Sequence, residues 1–148
     1  MVKVTQAQLE RFLTIVDKEF PVPLSEKQDL KELSEKFSVK ATICSEVIDG
    51  EIIAMVAGYT DNVIDGLAYI SVVATLKCAQ GKGLAKKLIF EFISECERKN
   101  LSAVHLYTDC RNQPAIKMYE RLGFEHYSCL NEIRPDDIHF IYYINKEK

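Results

Sequence analysis

A glycine-rich turn between a strand and a helix is the feature that most constrains how this chain can fold. Residues 67–76, LAYISVVATL, are rich in β-branched and aromatic side chains and predict a mostly buried strand. Gly81 and Gly83 then flank Lys82 at the start of a helical pattern. Glycine in ordered structure carries an entropic cost, so this pair indicates a backbone conformation or a close approach that a side chain would prevent. The chain therefore needs an architecture in which a strand leads directly into a helix.

The N-terminal part predicts a short edge strand over residues 1–5 and then two helices. Each helix follows a capping box, in which a Thr or Ser precedes a Gln by three residues. The boxes and helices are Thr5 with Gln8 before residues 6–20, and Ser25 with Gln28 before residues 26–37. The second helix is polar enough to lie on the surface near the mouth of a site.

The rest of the chain predicts strands and helices around one sheet. Asp49 and Gly50 form a hairpin signal between two strands, and Gly123 is placed to end a helix. The predicted elements from residue 40 onward are strands over 40–47, 51–60, 67–76 and 102–109, helices over 84–99 and 113–122, and strands over 124–133 and 138–146 around a turn at 134–137. The fold class is α/β, or α+β, with residues 1–148 as a single domain.

Composition excludes several classes of function. The 148 residues carry a net charge of -3 without a basic stripe, which argues against nucleic acid as a ligand. No apolar run approaches the roughly 20 residues of a membrane span, and no signal peptide is evident, so we expect a cytoplasmic protein and no membrane partner. Five cysteines without a C-x-x-C pair and three scattered histidines indicate neither a disulfide framework nor a metal site.

The glycine turn predicts an anion site. Free amides at a helix start point at one spot, where the helix dipole adds positive potential, and a phosphate suits it. The donors would be the amides of residues 81–85, with the charge of Lys82 nearby. Neither the P-loop pattern nor G-x-G-x-x-G is present, so nucleoside triphosphates and dinucleotides are disfavoured.

Two motifs carry a family resemblance. The pattern Gln80-x-x-Gly83-x-Ala85 after a strand resembles the acyl-CoA pyrophosphate loop of the GCN5-related N-acetyltransferases (GNAT superfamily). After one further strand, a second motif resembles the next helix of the same family. It consists of Asn112, Ala115, Tyr119, Gly123 and Phe124.

The resemblance implies a fold and a cofactor. The fold would be a central mixed, mostly antiparallel sheet of about six or seven strands flanked by about four helices, with strands 67–76 and 102–109 splayed apart. Acetyl-CoA, as co-substrate, would lie in that split. The residues that the resemblance assigns to cofactor binding are Val73, Thr75, Gln80, Gly81, Lys82, Gly83, Leu84, Ala85, Asn112, Ala115 and Tyr119, the first two through their backbone.

The resemblance also implies a mechanism. The Thr75 amide would be an oxyanion donor, and Tyr119 would be the general acid that protonates the departing thiolate. Taken alone, Tyr119 could equally be a core tyrosine, and Asn112 could either cap its helix or reach the ligand. No general base is identified: Asp61 and Asp65 lie in the loop before the strand, and Tyr69 or Ser71 could hold a water, so we expect water-relayed deprotonation of the amine.

The function implied is direct transfer of an acetyl group to a primary amine of a small molecule or amino-sugar. A protein N-terminal or lysine acetyltransferase and a non-catalytic acyl-CoA-binding module are the alternatives. The acceptor, the acyl length and the oligomeric state stay open, a homodimer among the possibilities. The three histidines and the two cysteines near the site are interpreted as interior residues. They are His105, His126, His139, Cys78 and Cys110.

Overall fold

The fold is one six-stranded sheet with four α-helices in the described part of the chain. This computed structural model describes residues 3–20, 22–26, 28–61, 63–127 and 136–144. The helices are α1 (Gln6–Asp17), α2 (Leu30–Lys40), α3 (Leu84–Arg98) and α4 (Gln113–Leu122). The strands are β1 (Thr42–Ile48), β2 (Glu51–Tyr59), β3 (Leu67–Thr75), β4 (Ala103–Asp109), β5 (Glu125–His126) and β6 (Asp137–Tyr143).

The sheet is mixed and mostly antiparallel. Its strand order is β1-β2-β3-β4-β6-β5, and every neighbouring pair is antiparallel except β3 and β4. The predicted fold class is therefore confirmed. Asp49 and Gly50 both have positive φ angles, 52° and 78°, in the turn that joins β1 to β2, as the hairpin signal predicts.

Helices cover both faces of the sheet. On one face, Leu88, Ile89 and Phe92 of α3 pack with Ile116 of α4 against the sheet, and all four are almost fully buried. On the other face, residues of α1 and α2 such as Leu13 form a second core with β2 and β3. The cleft described below lies where both layers meet the sheet.

A bulge in β3 changes which face its side chains reach. Ala57 pairs with Val72, but the next residue, Gly58, pairs with Ile70, so Ser71 is an extra residue in β3. Ile70 accordingly belongs to the core under α3, whereas Val72 belongs to the core under α1 and α2. The bulge therefore lets one strand contribute to both cores.

The two parallel strands separate soon after they meet. Within the described residues, β3 and β4 pair at three positions, from Leu67 with Ala103 to Tyr69 with His105. Beyond that point β3 continues beside β2, and β4 continues beside β6 as far as Asp109. The sheet is thus open between β3 and β4, as predicted for strands 67–76 and 102–109.

The predicted capping box at the start of α1 is confirmed, but the strand predicted before it is not. The Thr5 hydroxyl oxygen accepts from the Gln8 amide at 3.1 Å, and the Gln8 side chain accepts from the Thr5 amide at 2.8 Å. The predicted edge strand over residues 1–5 is wrong for residues 3–5, which lie in no strand. Residues 1 and 2 lie outside the described residues.

The predicted capping box of Ser25 and Gln28 is wrong. Asp29 caps α2, because its carboxylate accepts from the Glu32 amide at 3.0 Å. Ser25 instead donates through its amide and its hydroxyl to the buried Asp17 carboxylate, at 2.9 and 2.7 Å. A buried carboxylate needs such partners, and it takes the hydroxyl that would have capped the helix.

The C-terminal part is described only in pieces. Gly123, with a φ of 102°, ends α4 as predicted. Of the predicted strand 124–133, residues Glu125–His126 form β5, and residues 128–135, including the first half of the predicted turn, lie outside the described residues. No helix in the described ranges is both long and apolar enough to cross a membrane.

Gly58 is expected to be intolerant of any side chain. A Cβ there would lie 2.3 Å from the Tyr69 carbonyl oxygen and 2.7 Å from the ring of the fully buried Phe92. Because backbone and a packed ring must both shift, Gly58→Ala should lower the free energy of unfolding by about 1–3 kcal/mol in urea titration. Val39→Ala, at a side chain that is 80% exposed, should change it by less than about 0.5 kcal/mol. Equal stability of the two variants would contradict this packing.

Candidate functional site

The gap between β3 and β4 forms a cleft of about 470 Å³. This volume is in the range of small-molecule sites. Backbone and side chains of both separating strands line it, together with residues from elements on each face of the sheet. The lining residues are Phe20, Val22, Pro23, Leu24, Gln28, Tyr69–Val73, Leu106–Asp109, Asn112, Ala115, Met118, Tyr119 and Asp137.

The cleft is bounded by both helical layers. Ala115, Met118 and Tyr119 of α4 line it from the face that α3 and α4 cover. Phe20 and Leu24, in the connection between α1 and α2, line it from the opposite face. The cleft therefore lies between the two helical layers and is lined from both faces of the sheet.

The edge of β3 that faces the cleft carries backbone donors. The Leu76 amide donates to the Ile53 carbonyl at 2.9 Å, on the side of β2. Amide directions alternate along an extended chain, so the amides of Thr75 and Val73 point to the opposite edge, where β4 has separated. This direction suits the backbone roles predicted for both residues, although Val73 lines the cleft and Thr75 does not.

The glycine turn has the backbone conformation that its sequence indicates. Gly81 and Gly83 have φ angles of 82° and 76°, and Gly83 is the N-cap of α3. A Cβ on either glycine would meet nothing within 4 Å. The sequence allowed two reasons for these glycines, a special backbone conformation or a close approach of other atoms. The folded chain itself requires the first, the left-handed conformation.

The first turn of α3 presents backbone amides at this loop. The first hydrogen bond of the helix joins the Lys87 amide to the Gly83 carbonyl at 3.0 Å, so the amides of Leu84, Ala85 and Lys86 precede the helical ladder. Gly83 supplies no side-chain cap, and Lys82 is exposed beside the turn. An anion can approach these donors along the positive end of the helix dipole.

Gln80 connects this loop to the end of β3. Its side-chain amide donates to the Thr75 carbonyl at 3.2 Å. The contact joins the two parts of the predicted site, the loop and the strand. Gln80 therefore positions the glycine loop against the end of β3.

Asn112 caps α4. Its side-chain oxygen accepts a hydrogen bond from the Ala115 amide at 3.3 Å. Of the two roles considered for Asn112, capping the helix or reaching a ligand, the folded chain therefore shows the cap. Asn112 and Ala115 both line the cleft as well. The cap thus fixes the start of α4 against the site.

Tyr119 belongs both to the core and to the cleft. It is 6% exposed, and its ring lies 5.5 Å from that of Phe124 and 5.7 Å from that of Phe140. Burial raises the pKa of its phenol well above the ordinary value. Tyr119 also lines the cleft, and because its pKa is raised the phenol stays protonated at neutral pH.

The structure separates the predicted site residues into two groups. Four of them line the cleft, and these are Val73, Asn112, Ala115 and Tyr119. The others belong to the end of β3, to the loop before α3 or to the first turn of α3, and they lie outside the lining. They are Thr75, Gln80, Gly81, Lys82, Gly83, Leu84 and Ala85.

The residues considered for deprotonating the amine, as carboxylates or as holders of a water, are also separated. Tyr69 and Ser71 line the cleft. Asp61 does not, and its carboxylate pairs with the Lys99 ammonium at 2.8 Å. Asp65 also lies outside the lining, in the turn before β3, with a φ of 57°.

Sequence reasoning missed carboxylates at one end of the cleft. Asp109 and Asp137 are cross-strand partners at the ends of β4 and β6, and both line it. The Arg111 guanidinium donates to both oxygens of Asp109, at 2.9 and 2.8 Å, and pairs with Glu26 at 3.3 Å. These bonds raise the pKa of Arg111 and tie β4 to the connection between α1 and α2. The sequence contains only a weak signal for these two carboxylates, because their pairing depends on the register of β4 with β6.

Three interior assignments from the sequence are wrong. Cys78 and Cys110 are exposed rather than buried. His126 is exposed and bonds the Glu120 carboxylate at 3.1 Å. Cys78 lies in a single turn of 3-10 helix after β3, Cys110 lies in the turn after β4, and His126 lies in the two-residue strand β5.

Comparison with known proteins agrees with this geometry. A sequence model described as the acetyltransferase (GNAT) family matches residues 9–124. A mycothiol acetyltransferase of Arthrobacter sp. (strain FB24) is 47% identical over 55 residues, which are 37% of this chain and 17% of that protein. The chain therefore spans less than a fifth of that relative's length in the match.

Solved structures share the whole fold at low identity. The ribosomal-protein-S18-alanine N-acetyltransferase of Escherichia coli has a TM-score of 0.75 and 18% identity, covering 99% of this chain and 94% of the other. The PaiA N-acetyltransferase of Thermoplasma acidophilum, solved in complex with coenzyme A, has a TM-score of 0.73 and 13% identity, with 96% of each chain covered. Because the family model matches most of its residues, this chain belongs to the acetyltransferase (GNAT) family.

Proposed function

We propose that this protein is an acetyl-CoA-dependent N-acetyltransferase that passes the acetyl group directly to a primary amine in a ternary complex. The observation that carries the proposal is the cleft between β3 and β4, which both helical layers border and which Tyr119 lines. Direct transfer requires both substrates in one space, and this cleft, which is lined from both faces of the sheet, supplies such a space. The family to which the chain belongs supports the same chemistry.

The donor would be held by backbone amides. The diphosphate of acetyl-CoA would accept from the amides at the start of α3, and the left-handed Gly81 and Gly83 leave those amides uncovered. The pantetheine arm would then extend along the cleft edge of β3. The amides of Val73 and Thr75 point to that edge and would bond the arm and the thioester carbonyl.

The chemistry would need few side chains. Attack by the amine puts negative charge on the thioester oxygen, and a fixed amide such as that of Thr75 stabilises this charge without reorganisation. Tyr119 would then donate its proton to the departing thiolate. Burial keeps that proton on the phenol until a strong acceptor forms within reach.

The acceptor would be a small primary amine. The cleft of about 470 Å³ fits a small molecule, and the rings of Tyr69 and Tyr107 with the carboxylate of Asp137 suit an ammonium group. Amino-sugars fall in this class. Transfer to a protein N-terminus or lysine is the second candidate, which the shared fold with a ribosomal-protein N-acetyltransferase favours.

A panel of amines would test the activity itself. Purified protein with acetyl-CoA should release free thiol when a suitable small amine is present, and mass spectrometry should show the amine heavier by one acetyl group. Release with peptide amines alone would favour the second candidate. Tight acetyl-CoA binding without turnover on small amines, N-terminal peptides or lysine peptides would instead support a non-catalytic binding module.

Gly83→Val should weaken acetyl-CoA binding at least about tenfold. A β-branched residue does not adopt the φ of 76° found at Gly83, so the amides of the loop should lose their alignment. The measurement is the rise in melting temperature caused by acetyl-CoA. Gly50→Val is the matched control, since Gly50 has a φ of 78° and equally open surroundings in the β1–β2 hairpin. An undiminished rise in Gly83→Val would remove the loop from the donor site.

Tyr119→Phe should lower kcat about 100-fold while changing acetyl-CoA affinity less than about twofold. The substitution removes the proton donor but keeps the buried ring. Steady-state kinetics and calorimetric titration measure the two quantities. Tyr142→Phe is the control, because Tyr142 packs on Phe124 outside the cleft lining. Unchanged kcat in Tyr119→Phe would exclude the proton-donor role.

A further inference from the structure

The connection between α1 and α2 forms one wall of the cleft. Phe20, Val22, Pro23 and Leu24 of this connection line the cleft on the face that α1 and α2 cover. Within its described residues, the regular structure of the connection is one turn of 3-10 helix, Leu24–Glu26. A segment of this kind has no hydrogen-bonded ladder of its own, so contacts with other elements must hold it in place.

The 3-10 turn is held from two sides. Ser25 donates through its amide and its hydroxyl to the Asp17 carboxylate at the end of α1, at 2.9 and 2.7 Å. The next residue, Glu26, accepts from the Arg111 guanidinium beyond the end of β4 at 3.3 Å. The Glu26 amide also donates to the Pro23 carbonyl at 3.2 Å. The part of the turn that lines the cleft is therefore positioned by both α1 and β4.

Arg111 has a fixed orientation toward Glu26. Its Nε and Nη2 atoms donate to the two carboxylate oxygens of Asp109 at 2.9 and 2.8 Å, and its backbone amide donates to the same carboxylate at 2.9 Å. The Asp109 side chain is only 7% exposed. A two-point contact of this kind fixes the plane of the guanidinium, which a lysine could not reproduce. Nη2 is also the atom that reaches Glu26.

A second contact attaches the connection on the β3 side of the gap. The Glu19 carboxylate accepts from the Lys77 amide, just beyond the end of β3, at 2.7 Å. The connection is thus attached beyond the ends of both strands that border the cleft, at Lys77 and at Arg111. The residues that line the cleft lie between these two attachment points in the chain.

We propose that the bridge from Glu26 to Arg111 positions the wall against which the acceptor amine binds and so sets the affinity for the acceptor. This inference rests on the proposed function and deepens it. Neither Glu26 nor Arg111 lines the cleft, so the two are positioning residues and not catalytic residues. They act through the cleft-lining residues of the 3-10 turn.

The bridge should act on the acceptor and not on the donor. The contacts proposed for acetyl-CoA come from the start of α3 and from the edge of β3, and neither depends on Glu26. Without the bridge, the α1–α2 wall must become ordered when the acceptor binds, and this ordering reduces the net binding free energy of the acceptor. An acceptor that is already bound should react at nearly the usual rate.

Glu26→Ala should raise KM for the acceptor at least about fivefold and change kcat less than about twofold. The substitution removes the bridge but leaves the Asp109 carboxylate paired with Arg111. Steady-state kinetics with the amine that the panel identifies as acceptor measures both constants. The rise in melting temperature caused by acetyl-CoA should be the same as in the unaltered protein.

Glu51→Ala is the matched control. Glu51 pairs with Arg11 at the β1–β2 hairpin, and its side chain is 48% exposed, compared with 47% for Glu26. This variant also loses one exposed carboxylate and its arginine pair, and it should keep the KM of the unaltered protein. Arg111→Lys combined with Glu26→Ala should raise KM no further than Arg111→Lys alone, because both substitutions remove the same bridge.

The bridge should also respond to salt. Its side chains are 59% and 47% exposed, so dissolved ions screen their attraction. Between about 0.05 M and about 0.5 M salt, KM for the unaltered protein should approach that of Glu26→Ala. Screening of the acceptor's own charge affects both proteins alike. A role limited to folding stability would not make the two KM values converge.

Hydrogen exchange tests the positioning without any substrate. Peptides that contain Leu24–Glu26 should exchange their amide protons faster in Glu26→Ala than in the unaltered protein or in Glu51→Ala. Exchange in peptides from α3 and β3 should be the same in all three proteins.

The outcomes separate this inference from the proposed function. An unchanged KM in Glu26→Ala, or a fall in kcat at constant KM, would overturn the inference and leave the proposed function standing. Unchanged exchange around Leu24–Glu26 would overturn it as well. If the unaltered protein acetylates none of the amines or peptides tested, the proposed function fails, and the exchange measurement still decides whether the bridge holds the wall.

Discussion

The separation of β3 from β4 is the constraint on which the rest of the structure depends. The two strands share three paired positions, and past Tyr69 and His105 each continues with its other neighbour. From Ile70 onward, the inner edge of β3 carries backbone groups that no strand among the described residues pairs with. Such groups are costly when buried without a partner, so they must face solvent, a ligand or a side chain, as the Thr75 carbonyl faces Gln80. The cleft and its backbone donors both follow from this separation.

Several local interactions act together at the opening. The bulge at Ser71 comes two residues after the last pair and sends the second half of β3 into the other core. Arg111 joins the end of β4 to Glu26 in the α1–α2 connection. Gln80 joins the glycine loop to the end of β3. Each contact is modest, but together they bring the wall, the loop and the opposite helical layer to one place.

Local signals in the sequence predicted the elements that frame the site. The hairpin turn at Asp49 and Gly50, the left-handed N-cap at Gly83 and the helix stop at Gly123 all follow from glycine chemistry that acts over a few residues. The family resemblance then placed these elements around an open sheet. Thr5 with Gln8 succeeded as a capping box for the same local reason.

Features that depend on distant partners were not predictable in this way. Ser25 failed as a cap because a buried carboxylate eight residues earlier binds it. The bulge at Ser71 is invisible in a strand whose residues alternate in burial from end to end. The bond between His105 and His139 joins positions 34 apart in the chain and needs the register of β4 with β6, so both histidines resembled ordinary interior residues.

The central claim is that the opened edge of β3 and the start of α3 together bind acetyl-CoA. A crystal structure with the bound cofactor tests this most directly. The account predicts the diphosphate within hydrogen-bond distance of the amides of residues 83–86 and the thioester between β3 and β4, beside Val73 and Tyr119. A diphosphate bound elsewhere, or a thioester outside the gap between these strands, would contradict it.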